Sequence, residues 1–422
     1  MSRDKKPLLY AAGIALLGVL AYRSSLFGKF LLDDLTLIVF NFHIRDLSGA
    51  AQLFTENIGA GIGQEVSSGF YRPLQILSYA FDFRLWNLGY TGYHITNLAL
   101  HILTALSAYW FIRLISKKDL LSFLAAALFA VHPVNTEAVS YISGRADPLC
   151  ALFVFLCLIC YIKYLDTSDM KYYLAFPLCY LCALLSREGG MILLAFIPLY
   201  HFSFRRKLRL ADIAPFLIVT AVYILMRSFA LKSMLPHYHS PASALQRVAG
   251  SFAAFSDYIR MLFLPYGLHM EYGRKVFNFN DPQVVAGLLL FALCAYFMFS
   301  RRDSRGLMFF SAAWFIAGLA PVSGVFPMGA YMAEHWLYLP SVGFFVLLSS
   351  AVIYLYRMER TRTAAVALIA VMLLAYTAST AKHNRYWSDP EAFYKRTLEY
   401  SPDSARMHTY LDLYYRMRPD SR

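Results

Sequence analysis

The stretch DPLCALFVFLCLICYIKYL, residues 147–165, carries no charge between Asp147 and Lys163. Nineteen residues of helix rise about 28 Å, close to the thickness of a bilayer's hydrocarbon core. Working outward, the same pattern recurs at 8–26, 93–115, 120–132, 172–186, 189–202, 213–231, 283–300, 306–322, 336–356 and 364–380. Apolar residues make up 59% of the 422 and charged residues only 15%, whereas a soluble domain carries about a quarter charged. The expected fold class is therefore all-α: a polytopic membrane protein of about 11 transmembrane helices.

Charge orients these helices. The formal charge is +13, and much of the excess sits in short loops: Arg3, Lys5 and Lys6; Lys117 and Lys118; Arg205, Arg206, Lys207 and Arg209; Arg301, Arg302 and Arg305; Arg357, Arg360 and Arg362. Eleven spans starting inside place all of them in the cytosol, as the positive-inside rule requires, with the N-terminus cytosolic and the C-terminus external. Basic residues at every second loop do not form the continuous patch that nucleic acid needs, so no nucleic-acid partner is expected. The first run is read as a retained anchor because no convincing small-residue cleavage site follows it. Residues 251–265, interrupted by Asp257 and Arg260, are read as an interfacial or re-entrant helix, because a further span would move Arg301, Arg302 and Arg305 outside. The six cysteines lie in apolar runs and are read as packing, including the CxxC pairs Cys157/Cys160 and Cys179/Cys182.

The longer loops then share the external face: 27–92, 132–146, the turn at Arg187 and Glu188, about 232–282, 323–335, and the tail. At the outer ends of the spans stand Asp33, Asp34, Arg72, His94, His132, Glu137, Arg145, Asp147, Arg187, Glu188, Glu334 and His335. Ionisable groups near membrane depth are costly and mark function; the bland alternative is interfacial caps and salt bridges. Two adjacent carboxylates such as Asp33 and Asp34 cannot both be buried and charged without partners, although Asp34 could simply be the N-cap of a helix starting after it. Arg72, Arg145 and Arg187 suit a phosphate, which a guanidinium grips bidentately. At an interface that phosphate is a lipid's. A carboxylate opposite arginines points to transfer of a group from a lipid phosphate to a hydroxyl, with one base sufficing.

The strings FLLDD (30–34), Asn41, YRPL (71–74), GYHITN (92–97), His101, FAVHPVNTEAV (129–139), SGRAD (143–147), SREGG (186–190) and AEHWLYLPSVG (333–343) occur in order along the chain. Together they resemble the transmembrane and tetratricopeptide-repeat O-mannosyltransferases, and residues 387–411 are similar to the entry into that family's repeats. Asn135 stands where the family often has His, Arg187 where it has Lys, and His335 where it has Arg. The resemblance implies a GT-C type glycosyltransferase that moves a hexose, mannose by analogy, with inversion. The donor would be a polyprenyl-phosphate sugar and the acceptor a hydroxyl, on protein Ser/Thr or elsewhere, on the non-cytosolic face. Asp33 or Asp34 would be the base or acceptor-orienting acid, and Arg72, Arg145 and Arg187 would hold the donor phosphate. Tyr71, His94, His132, Glu137, Glu188, Glu334 and His335 would line or brace the site.

On this reading residues 1–381 form the GT-C type transmembrane domain with a large first external loop (27–92), and 382–422 a short external tail resembling a single tetratricopeptide-like helix pair. Such a pair must dock on the membrane domain or a partner, since about three repeats are needed for a core. No cofactor is required; a divalent cation held by Asp33, Asp34 and Glu137 is left open. The compact loops and short tail favour a bacterial inner membrane with the site facing the periplasm, the alternative being an endoplasmic reticulum membrane with a lumenal site. The rival function is a non-catalytic polyprenyl-lipid-binding protein or lipid-linked sugar flippase. It is disfavoured because no internal repeat is evident and the charges sit at span ends.

Overall fold

A computed structural model of the chain describes residues 6–63, 69–231, 242–273, 275–300, 306–325 and 327–416. Of the basic loops, Arg3, Lys5, Arg301, Arg302 and Arg305 lie outside them. Sixteen α-helices and no strand occur among the described residues. Lipid leaves a backbone no partner but itself, which selects helices for the apolar runs.

Six helical segments are long and apolar enough to cross a membrane: Lys6–Phe27, Tyr90–Ser116, Ile142–Thr167, Leu210–Ala230, Pro282–Phe299 and Glu359–Ser388. Their α-helical parts are α1 (Lys6–Tyr22), α3 (Tyr90–Ser116), α6 (Ala146–Thr167), α9 (Leu210–Ala230), α11 (Pro282–Ser300) and α14 (Arg362–Ser388). The chain is thus a multi-pass membrane protein. A seventh span arises if α4 (Asp119–Val131) is joined to Pro133–Ser140, which it meets at a 54° bend. Pro133 causes that bend: the residue before a proline is driven out of the α region, and His132 is extended at ψ 131°. The remaining expected spans coincide with shorter helices: α7 (Met170–Ser186), α8 (Leu193–Ser203), α12 (Leu307–Leu319) and α13 (Ser341–Arg357). A 17-residue helix rises only about 25 Å, so length supports six or seven spans and leaves the count of eleven open.

Residues 251–265 belong to a longer amphipathic helix, α10 (Ala244–Phe263), opened by a reciprocal Ser243–Gln246 capping box. Its apolar face, including Ala253, Phe255 and Met261, is buried, and it packs against α11. The core lies where α3, α4, α6, α7, α12 and α13 meet. Trp314 sits at its centre, stacked on Phe196 at 3.7 Å and Phe155 at 5.8 Å, with its indole N–H donated to the Leu339 carbonyl at 3.0 Å. α12 and α13 cross closely because Gly343 has no side chain: a Cβ there would lie 2.4 Å from the Ser311 carbonyl oxygen.

The first loop is not irregular throughout. It holds short helical turns and the helix α2 (Pro73–Trp86). The tail folds as a helix pair, α15 (Pro390–Tyr400) and α16 (Ala405–Arg416). Leu31 and Leu32 of the first loop are buried in one cluster with Tyr141, Trp387, Phe393, Tyr394 and Met407. The pair therefore docks on its own chain, directly over the FLLDD segment.

Candidate active site

Seven stretches converge on one end of the bundle around a cavity of about 1560 Å3. The first loop contributes Asp33 and Arg72; the bend after α4 contributes Glu137, Tyr141 and Ser143; the α7–α8 turn contributes Arg187 and Glu188. Arg227 enters from the end of α9, Glu271, Tyr272 and Lys275 from the loop after α10, and His335 from the loop before α13. The turn of the tail, Tyr400 to Arg406, closes the ring.

The adjacent acids Asp33 and Asp34 have opposite fates. Asp34 is 1% exposed. Its Oδ1 accepts from the Ser143 backbone N–H at 2.8 Å and from the Ser143 hydroxyl, and its Oδ2 accepts from the Leu31 N–H at 2.9 Å. Burial pushes this carboxyl up to about 7 despite those hydrogen bonds. Gly144 permits the arrangement, since a Cβ there would lie 2.5 Å from the Glu137 carbonyl oxygen. Asp33 instead lines the cavity. Its carboxylate accepts from Arg406 of the tail at 3.1 Å, and its N–H is donated to the Tyr141 hydroxyl at 3.0 Å. Leu32, just before it, holds φ 48°, a left-handed conformation uncommon for a bulky residue.

The same cavity is lined by Arg72, Arg187 and Arg227, which pair with Glu188 and Asp147. Arg72 donates through Nε and Nη2 to one Glu188 oxygen, both at 3.0 Å, and Arg227 Nη1 reaches the other at 3.3 Å. Arg187 pairs with Asp147. Burial alone would raise the Glu188 carboxyl, but the charge and hydrogen bond of Arg72, with Arg227 behind, hold it below its usual range. Burial likewise works against the Arg72 charge, and Glu188 more than compensates. Among the described residues this wall sets three guanidinium groups against two carboxylates, with Lys275 also lining the cavity.

In the same cavity, Glu137 accepts from the His335 N–H at 3.0 Å and from its Nδ1 at 2.6 Å. Behind them Glu334, 1% exposed, accepts at one oxygen from the His269 N–H and the Tyr272 hydroxyl, both at 2.6 Å, while its Oε2 has no hydrogen-bond partner among the described residues. Burial, with the Glu137 charge beside it, raises its carboxyl well above the ordinary value.

Half of the expected site residues line the cavity: Asp33, Arg72, Arg187, Glu137, Glu188 and His335. Asp34 and Glu334 stand directly behind the wall, holding Ser143 and Tyr272. The other four face protein. Tyr71 donates to the Phe54 carbonyl at 2.7 Å, and His94 bonds the Gly28 carbonyl at 3.1 Å. His132 bonds the Leu262 carbonyl at 3.2 Å, beside the proline bend. Arg145, expected among the phosphate ligands, has no exposed surface. It pairs with Asp82 at 2.5 Å and donates to Asn97 Oδ1, Ser78 Oγ and the Tyr93 carbonyl, at 2.6, 3.1 and 3.0 Å. Its donors are spent on tying α2 and α3 to the start of α6. Reading the sequence overlooked Arg227, although an arginine at the end of an apolar run is itself a signal. It also overlooked Arg406, for which no local signal exists. Among the described residues no three His, Cys, Asp or Glu side chains are grouped to hold a metal ion.

No family model matches the chain. Along 93% of its length it is 25% identical to protein O-mannosyl-transferase F38B6.6 of Caenorhabditis elegans, covering 58% of that protein. It is 27% identical over 94% of its length to protein O-mannosyl-transferase TMTC1 of Homo sapiens, covering 52%. Over 47% of its length it is 30% identical to human protein O-mannosyl-transferase TMTC2, covering 24%. The chain thus spans roughly half the length of the relatives it matches end to end. Among solved structures, ArnT from Cupriavidus metallidurans bound to undecaprenyl phosphate superposes at TM-score 0.44 and 13% identity, over 95% of this chain and 70% of ArnT, a likeness too loose to build on. In sequence, from the first helix into the tail, the chain is similar to the protein O-mannosyl-transferases that its motifs resemble.

Proposed function

We propose that the chain transfers a hexose, mannose by likeness to its relatives, from a polyprenyl phosphate to a hydroxyl acceptor on the non-cytosolic face. One observation carries this reading: a single cavity is lined both by the half-exposed carboxylate of Asp33 and by the guanidinium groups of Arg72, Arg187 and Arg227. Asp33 takes the acceptor hydroxyl's proton as that oxygen attacks the anomeric carbon from the side opposite the phosphate. The carbon–oxygen bond to phosphate breaks, and the departing phosphate gathers charge that Arg72, Arg187 and Arg227 stabilise. A guanidinium has five donors, so a carboxylate partner leaves others for the phosphate. Asp34 and Arg145 shape the site without meeting substrate: both are enclosed and bonded to protein.

A single displacement inverts the sugar. Incubating the purified chain with polyprenyl-phosphate mannose and a Ser/Thr-rich peptide should give mannosylated hydroxyl of opposite anomeric configuration to the donor. Retained configuration would refute the single displacement, and no product with peptide, lipid or glycan acceptors would refute transfer. The positive-inside pattern supports a cytosolic N-terminus and an external site. The compact loops favour a bacterial inner membrane, with the endoplasmic reticulum the alternative.

A further inference from the structure

At the opposite end of the bundle lies a groove unrelated to the cavity above, and we infer that it is a binding site for an anionic phospholipid. It encloses about 590 Å3 between α3 and α6, with the start of α4 at its edge, a volume in the range of small-ligand sites. Its floor is apolar, with Trp110, Leu114, Leu156 and Ile159, and its mouth carries Arg113, Lys117 and Lys163.

Three observations fit a lipid and its charge. The first is depth. His94 of α3 bonds the loop leading into the first cavity, and Arg113 lies nineteen residues further along the same helix. At 1.5 Å per residue that is about 28 Å, one hydrocarbon thickness, so the groove opens at the other interface. Trp110, 37% exposed, sits at the depth where indole rings favour headgroups.

The second is charge. Asp119 is the groove's one acid among the described residues, and it is taken by Arg113 at 2.6 Å. Lys117 and Lys163 have no carboxylate partner among the described residues; Lys163 rests over the Tyr172 ring at 5.2 Å. The mouth therefore carries two net positive charges. Some of that complements the negative C-terminal ends of α3 and α6, but a dipole end equals only about half a charge, so excess remains for a phosphodiester.

The third is shape: an apolar floor continuous with a cationic mouth matches an acyl chain below a phosphate, and basic pockets between helices hold anionic headgroups in this way.

Native mass spectrometry of the full chain in detergent, with equal amounts of phosphatidylglycerol and phosphatidylcholine, tests this. Wild type should retain phosphatidylglycerol about tenfold over phosphatidylcholine, given the contribution of each lysine near a lipid surface. The double variant Lys117→Gln/Lys163→Gln should lose the preference. A control removing two charges elsewhere, Arg357→Gln/Arg360→Gln, should keep it, and matched thermal unfolding should show all three folded. No preference in wild type, equal loss in the control, or preference surviving in the lysine variant would overturn the assignment. So would displacement of the lipid by free glycerol phosphate, which would make the site a headgroup site only, or by polyprenyl phosphate at equal concentration, which would make the occupant a polyprenyl lipid.

Discussion

Asp34→Asn should change how the protein's stability depends on pH, with a reversal that stems from the bonding of this carboxyl. Folding raises Asp34 from 3.8 to about 7 because burial penalises its charge. A raised carboxyl contributes stability that is fully present below pH 3.8 and lost as pH rises to about 7. At about 1.4 kcal/mol per pH unit, the loss between pH 4.5 and pH 7 is at most about 3 kcal/mol. Asparagine does not titrate, so the variant lacks this dependence. Its amide oxygen can still accept from Ser143, but its NH2 group would face the Leu31 N–H that now bonds Asp34 Oδ2 at 2.9 Å. Two donors opposed cost about 1–3 kcal/mol. At pH 4.5 wild type should therefore be the more stable by about that amount, and by pH 7.5 the variant should draw level or overtake it. Thermal unfolding of both proteins in one detergent across that range reads the difference and cancels every other titrating group. Parallel curves would show that Asp34 is not forced to ionise in a closed site, and would refute the packing around Ser143.

Two further perturbations probe the rest of the site. Glu188→Gln removes the counterion shared by Arg72 and Arg227 and should destabilise by about 2–4 kcal/mol, toward the lower end because Glu188 is partly exposed. Because Glu188 is depressed in the folded state, its contribution is present above the ordinary glutamate range and lost as pH falls. The variant's deficit should therefore shrink in acid, as thermal unfolding at pH 7 and below pH 4 would show. Trp387→Ala removes a ring stacked on Tyr141 at 5.8 Å and tilted against Phe393 at 4.7 Å, at a cost of about 3–5 kcal/mol. Limited proteolysis should then cut the tail faster, and transfer should fall because Leu31 and Leu32 lose the cluster that fixes Asp33.

The class of fold was legible because runs such as 147–165 can be satisfied only in lipid, and a cavity lined by charged residues was foreshadowed because charge gathered at one set of span ends. That logic named Arg72, Arg187, Glu137, Glu188 and His335, which line one cavity. It could not separate Asp33 from Asp34, since their difference depends on Ser143, 109 residues away. The burial of Arg145 was not legible for a related reason. Its partner Asp82 and the hydrogen bonds of Asn97 and Ser78 come from helices whose packing no local pattern specifies. The span count stayed open because the proline bend at His132 and the short helices α7, α8, α12 and α13 break the link between an apolar run and a full crossing. The tail's docking was half visible: an amphipathic helix pair needs a surface for its apolar face, but only the packing of Trp387 and Met407 on Leu31 and Leu32 shows where.

The central claim is that Asp33 drives sugar transfer from a polyprenyl phosphate, and release of that phosphate tests it most directly. Purified wild type and Asp33→Asn would be given labelled polyprenyl-phosphate mannose with a hydroxyl acceptor. Asp33 is half exposed, and its one side-chain ion pair among the described residues is with Arg406, so the variant should fold and unfold like wild type. The account predicts acceptor-dependent release by wild type and a loss of at least about 100-fold in the variant. Release undiminished in Asp33→Asn, or absent from folded wild type across donors and acceptors, would contradict it.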